Sequence, residues 1–170
     1  MFSIFRLLIH CSESYKIGIH RELVTNGVKK GDEKMPKPTQ KDAELLLQVL
    51  KLTNDEESRR ANIWFWEEFD IKSYRKFKKK YPSGSEGSRY FNRFMGNWEM
   101  LATLVVNGLI SEDLVFDMFL VKPQWEKAEP IVHGMRKEWK SPRLYENFEV
   151  LVQKAVEWKK THPPKVKTVS

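Results

Sequence analysis

The sequence has almost no cysteine. Cys11 stands alone among 170 residues, which excludes an internal disulfide framework and any Cys-x-x-Cys zinc or redox pair. A single thiol also fits a reducing compartment. Histidine is nearly as scarce: His10, His20, His133 and His162 are scattered without metal-ligand spacing, so no metal and no cofactor is expected. Long apolar runs are missing too. Leu101 to Val106 and Val115 to Val121 fall far below the roughly 18 residues that span a bilayer. Met1 to Cys11 has the look of a signal peptide, but Arg6 interrupts it and no small-residue cleavage site follows cleanly. The chain is therefore read as soluble and cytoplasmic. A phosphate-binding loop is absent as well, because Gly84 and Gly87 lack the Lys-Ser/Thr that would have to follow.

What remains is ordinary in amount and unusual in kind. Hydrophobic residues make up 41% and charged residues 31%, the balance of a globular chain rather than a disordered one. The length suits one domain with a sizeable core. Ten Phe, six Trp and five Tyr supply bulky side chains from which a few helices can close that core. The net charge of +7 is compatible with an acidic partner, and its distribution says more than its sum.

Residues 1–34 do not match the rest. They carry no sustained helical period and end in Gly27-Val28-Lys29-Lys30-Gly31-Asp32-Glu33-Lys34, just before Met35 and Pro36. Lys-Lys-Gly-Asp is what a purine-rich bacterial ribosome-binding sequence encodes when read in frame. Two readings follow: a loosely ordered N-terminal arm, or upstream translation ahead of a true initiator at Met35.

From Thr39 onward the period is helical. Thr39 with Asp42 reads as a capping pair, ahead of an apolar face of Leu45, Leu46, Val49, Leu50 and Leu52. Asn54-Asp-Glu-Glu57 repeats that logic and opens a second helix through Trp64 and Phe69. Asp70 should turn the chain into a third, basic helix that ends before Pro82. Ser83 to Ser88 reads as a flexible linker, followed by a long helix bearing Phe91, Phe94, Met95, Trp98 and Leu101. Asn107-Gly108 stops it, and Ser111 starts the next. Pro123 opens a segment that Pro130 should kink or divide. Ser141-Pro142 should start the last helix, with serine as N-cap and proline in the first helical position. Residues 163–170 should form a loose tail. The expected fold is all-α, a compact bundle of five to seven helices over 35–162.

The order of motifs in the C-terminal half carries a resemblance. Asn107-Gly-Leu-Ile-Ser-Glu-Asp-Leu-Val is followed by Trp125, Pro130-Ile131 and Arg136, then Ser141-Pro-Arg-Leu-Tyr145-Glu-Asn-Phe148-Glu-Val-Leu151. This resembles an uncharacterised, mostly prokaryotic family of helical proteins known only as a domain of unknown function. The resemblance covers about Leu45 to Trp158 and is clearest from Phe91 to Leu151. It implies an all-helical fold and carries no catalytic residues.

Three features compete for a functional role. Lys72, Arg75, Lys76, Lys78, Lys79 and Lys80 fall within nine positions, followed by Arg89 and Arg93. Tyr74, Phe77 and Tyr81 share one side of that helix and leave the lysines on the other. Such a face would bind nucleic acid through phosphates, independently of sequence; the plainer reading is a solvated face balanced by Glu67, Glu68 and Asp70. Trp64, Phe65 and Trp66 span about 200° of a helix, so they cannot all face one core. At least two belong to packing, and the remaining one is a candidate contact with a protein partner or a second copy. Arg136 and Glu149 should pair between two helices, since a buried charge needs a partner.

The case for catalysis is thin. There is no Glu-x-x-His pair and no nucleophile elbow, and Glu129 with His133 offers at most two metal ligands. An enzyme would need a pocket of converging polar groups that the sequence does not reveal. The function read from the sequence is therefore a non-enzymatic interaction module, with polyanion binding as the alternative.

Overall fold

Helix starts written into neighbouring residues form where the sequence places them. Thr39 accepts from the Asp42 amide while the Asp42 carboxylate accepts from the Thr39 amide, a reciprocal cap that opens α1, Gln40–Leu52. Asp55 accepts from the Ser58 amide and opens α2, Glu56–Glu67. The computed structural model describes residues 37–166; the expected arm at 1–34 and residues 167–170 of the expected tail lie outside the described residues. Among the described residues the fold is all-α, with no strand. The remaining helices are α3 (Tyr74–Lys80), α4 (Glu86–Val106), α5 (Glu112–Met118), α6 (Lys122–Trp139) and α7 (Glu146–Thr161).

The long helix α4 organises the rest. Phe91, Phe94, Met95, Leu101, Ala102 and Val105 are buried along it, at the three- and four-residue spacings of a helix face. α2 packs against it, as does α7, while α3 lies on α6 and α6 on α7. Phe65 of α2 stacks on Phe94 at 3.8 Å between ring centroids, a contact that adds about 0.5–1.5 kcal/mol beyond area burial. Trp98 stacks on Phe148 of α7 at 5.2 Å. The abundant aromatics are thus spent on joining helices.

Four local expectations are revised. α3 begins at Tyr74, so Lys72 lies in the non-helical segment before it. Half of the expected linker is helical, because Ser85 accepts from the Ser88 amide and starts α4 at Glu86. Pro130 does not divide α6. A helix-interior proline removes one hydrogen bond and crowds the preceding turn at a cost of about 3 kcal/mol, and burial of Trp125 and Ala128 before it and Ile131, Val132 and Met135 after it offsets that cost. Lastly, Ser141-Pro142 does not start α7. Residues 141–145 form turns closed by Leu144 N–H to the Ser141 carbonyl and Glu146 N–H to the Arg143 carbonyl, and Tyr145 adopts a left-handed φ of 55°.

The true start of α7 is capped from another helix. The Glu99 carboxylate of α4 accepts from the Phe148 amide at 2.9 Å and from the Asn147 amide at 3.3 Å, with the Asn147 side chain donating at 2.9 Å. A carboxylate at a helix N-terminus satisfies free N–H groups and opposes the positive end of the dipole. Burial first, and the Glu99 charge second, push the neighbouring Tyr145 phenol up to about 12.

Two glycines report how closely the helices approach. A Cβ on Gly134 of α6 would sit 2.2 Å from the Tyr74 Cβ of α3, whereas one on Gly96 of α4 meets nothing within 4 Å. Gly134→Ala is expected to lower stability by about 1–3 kcal/mol through overpacking. Gly96→Ala is expected to raise it by about 0.4–1 kcal/mol through the unfolded state. Urea unfolding of the two variants checks the pair, and a Gly134→Ala chain no less stable than the parent would contradict the α3–α6 contact.

Candidate functional site

A cavity lies between the end of α1, the start of α2 and the middle of α4, with Phe119 from the α5–α6 connection. Its volume is about 200 Å³, with Val49, Leu50, Phe94, Trp98, Leu101 and Phe119 as apolar walls. The polar side carries Asn54, Arg59, Asn62 and Asn97, with Ser58. Ser58 is buried and fully engaged. Its hydroxyl donates to Asp55 at 3.0 Å and accepts from Arg93 Nε at 2.8 Å and from Asn97 at 3.0 Å. A hydroxyl with its proton and both lone pairs committed is a structural hub, not a nucleophile waiting for a base.

Arg93 also forms an ion pair with Asp55. The Ser58 amide, then the Ser58 hydroxyl and the Arg93 guanidinium, hold the Asp55 carboxyl down at about 2. Arg93, a candidate for phosphate contact from the sequence, is thus turned toward α2.

The other sequence candidates separate in the same way. Trp64 and Phe65 are buried, and Trp66 is 43% exposed. Trp64 meets Tyr81 edge-on at 5.1 Å. Sequence reasoning missed Lys127 of α6, whose ammonium donates to the Phe65 carbonyl at 2.6 Å and the Trp66 carbonyl at 3.3 Å. It also sits 5.5 Å over the Trp66 ring. This cation closes the C-terminus of α2, and burial lowers its pKa. Nothing local could have flagged it, because it comes from another helix. Arg59, Asn62, Ile63 and Trp66 form one stripe on α2, with Ile63 and Trp66 exposed, so the stripe leads from the cavity onto open surface.

The family comparison fits this helical body. A family model described as a domain of unknown function, DUF4760, matches residues 38–155. The chain belongs to that family. No curated protein matches the chain, and no solved structure matches it. The DUF4760 match spans every element that lines the cavity.

Within this DUF4760 body, the basic residues divide between outward and internal roles. Phe77 is buried, and Tyr74 and Tyr81 pack against the core, which leaves Arg75, Lys76, Lys79 and Lys80 on the outward arc of α3. Lys78 pairs with Glu138 of α6 and lies 5.0 Å over the Tyr74 ring. Arg89 donates to the Gly84 carbonyl at 3.1 Å. Lys72 is exposed ahead of the helix.

At the α6–α7 junction the expected pair is present: Arg136 Nη1 donates to Glu149 Oε2 at 2.6 Å, and Nε donates to the Leu144 carbonyl at 2.9 Å. Glu149 also lies beside Glu129 and His133, with one donor atom from each of the three within 4.8 Å of the others. The sequence supplied only Glu129 and His133 of that group. Among the described residues, no helix is long and apolar enough to cross a membrane.

The Asp55 network carries a pH signature. A carboxyl depressed in the folded state stabilises above its unfolded pKa of about 4. That contribution is lost as pH falls from about 4 toward the folded value of about 2. The stability deficit of Asp55→Ala against the parent chain should therefore shrink between pH 5 and pH 2. A deficit constant across that range, in urea unfolding at each pH, would remove the network's electrostatic role.

Proposed function

We propose that this chain is a non-enzymatic helical interaction module that takes one apolar side chain of a protein partner into the α1–α2–α4 cavity. The observation that carries this reading is the continuity of the cavity with the exposed Ile63–Trp66 stripe. Its volume of about 200 Å³ is below the roughly 300–1,000 Å³ of small-molecule sites and suits an anchoring side chain. Asn54 and Asn62, exposed on its polar side, each present an amide, which can both donate to and accept from a peptide backbone. Trp66 and Ile63 add apolar area beside the anchor, the kind of residue from which interfaces draw most of their energy. A cytoplasmic setting belongs to the same reading, in keeping with the single cysteine.

The test is selection of a displayed random-peptide library on the full chain, followed by calorimetry with the selected peptides. Recovered peptides should share one aliphatic or aromatic anchor. Asn62→Ala and Trp66→Ala, both at exposed positions, should each weaken binding about fivefold to thirtyfold, or about 1–2 kcal/mol. Peptides without a common anchor, or binding indifferent to both variants, would sink the reading. A dimer in sedimentation that Ile63→Glu dissolves would give the stripe to a second copy instead.

A second reading rests on α3, which contains no carboxylate and carries Arg75, Lys76, Lys79 and Lys80 on its outward arc, with Lys72 ahead of it. It is non-specific binding of nucleic acid or another polyanion. Four phosphate contacts would make log K fall against log salt with a slope of about −3 to −4. Anisotropy with labelled DNA and RNA should give that slope, and Lys76→Glu with Lys79→Glu and Lys80→Glu should abolish binding. No binding even at low salt leaves the arc a solvated face.

A further inference from the structure

We infer that Glu129, His133 and Glu149 form a site for a first-row divalent transition ion, with zinc as the best match. Glu129 and His133 lie four residues apart on α6 and so face the same way, with Oε1 and Nε2 at 3.9 Å. Glu149 reaches the pair from the first turn of α7, and one donor atom from each residue lies within 4.8 Å of the others. Donors held at about 2.1 Å from one ion are at most about 4.2 Å apart. The present spread therefore closes with small rotations, which half-exposed side chains of Glu129 and His133 can make.

The third ligand is the one that is held. Arg136 engages Glu149 through Oε2 at 2.6 Å, which orients the carboxylate as supporting hydrogen bonds do around metal ligands. One imidazole nitrogen among two carboxylates selects against magnesium and calcium, which prefer all-oxygen surroundings, and in favour of zinc or its first-row neighbours. Three protein ligands leave at least one coordination position for water or a partner's side chain. This site stands apart from the cavity and does not depend on the interaction reading.

The experiment uses the full chain, stripped with EDTA and titrated calorimetrically with zinc, and in parallel with cobalt followed by its visible absorption. The expected result is tight uptake of zinc, no comparable uptake of magnesium, and a rise in Tm from linking α6 to α7. His133→Ala, at an exposed position, should weaken zinc binding by at least about tenfold, the low end of what losing even a supporting contact costs. It should also shift the cobalt bands, while its circular dichroism stays that of the parent. Glu129→Gln should act in the same direction, and His162→Ala should leave the titration unchanged. Zinc binding equal in His133→Ala and the parent chain, or no zinc binding at all, would overturn the assignment.

Discussion

The Glu99 carboxylate is the contact that fixes how the C-terminal half is put together. It reaches from the middle of α4 to the free amides of Asn147 and Phe148 and so sets where α7 begins. A tertiary cap of this kind is worth about as much as a local one, roughly 0.5–2 kcal/mol. Its structural consequence is larger, because one residue of slippage would rotate α7 by about 100°. With the start fixed, Phe148 lies on Trp98 and Glu149 meets Arg136. The burial of Leu151, Val152 and Ala155 follows from the same register.

This dependence explains which helix starts were legible in the sequence. Thr39–Asp42 and Asp55–Ser58 are caps made by residues three apart, so the sequence contains both partners side by side. Ser141-Pro142 has the right local chemistry and still fails, because its surroundings are already assigned. The Ser141 amide closes the end of α6 on the Arg136 carbonyl, and the Leu144 carbonyl accepts from Arg136. The partner that starts α7, Glu99, lies far away along the chain, where no spacing rule connects it. Arg136–Glu149 was nonetheless readable, since a long cation and a carboxylate on two apolar-faced helices need one another when half-buried.

Site residues were legible in proportion to how local their role is. That at most two of Trp64, Phe65 and Trp66 could be buried in one core followed from helix geometry alone. Which one stays outside was decided by α4, whose Phe94 takes Phe65, and by Tyr81, which takes Trp64. The basic cluster looked uniform as a string of letters. In the fold, Lys78 and Arg93 neutralise Glu138 and Asp55, while the cations of the outward arc of α3 face solvent. A charge run shows sign and density, and only the packing of neighbours decides which members remain outward.

Three consecutive residues of α4 join the parts of the molecule that carry functional weight. Asn97 lines the cavity and donates to Ser58, the hub of the α2 network. Trp98 lines the same cavity and stacks on Phe148. Glu99 caps α7, one turn of which carries Phe148 and Glu149. Side chains in a close-packed interior shift together or not at all, and Trp98 is braced between the cavity and α7. A side chain entering the cavity would press on a residue whose other face sets the position of Glu149's own helix. The cavity and the Glu129–His133–Glu149 cluster are therefore held at a fixed spacing by a single helical turn. The polar groups along the cavity divide accordingly: Ser58 and Asn97 are tied to one another by a hydrogen bond within the scaffold, whereas Asn54, Arg59 and Asn62 are exposed.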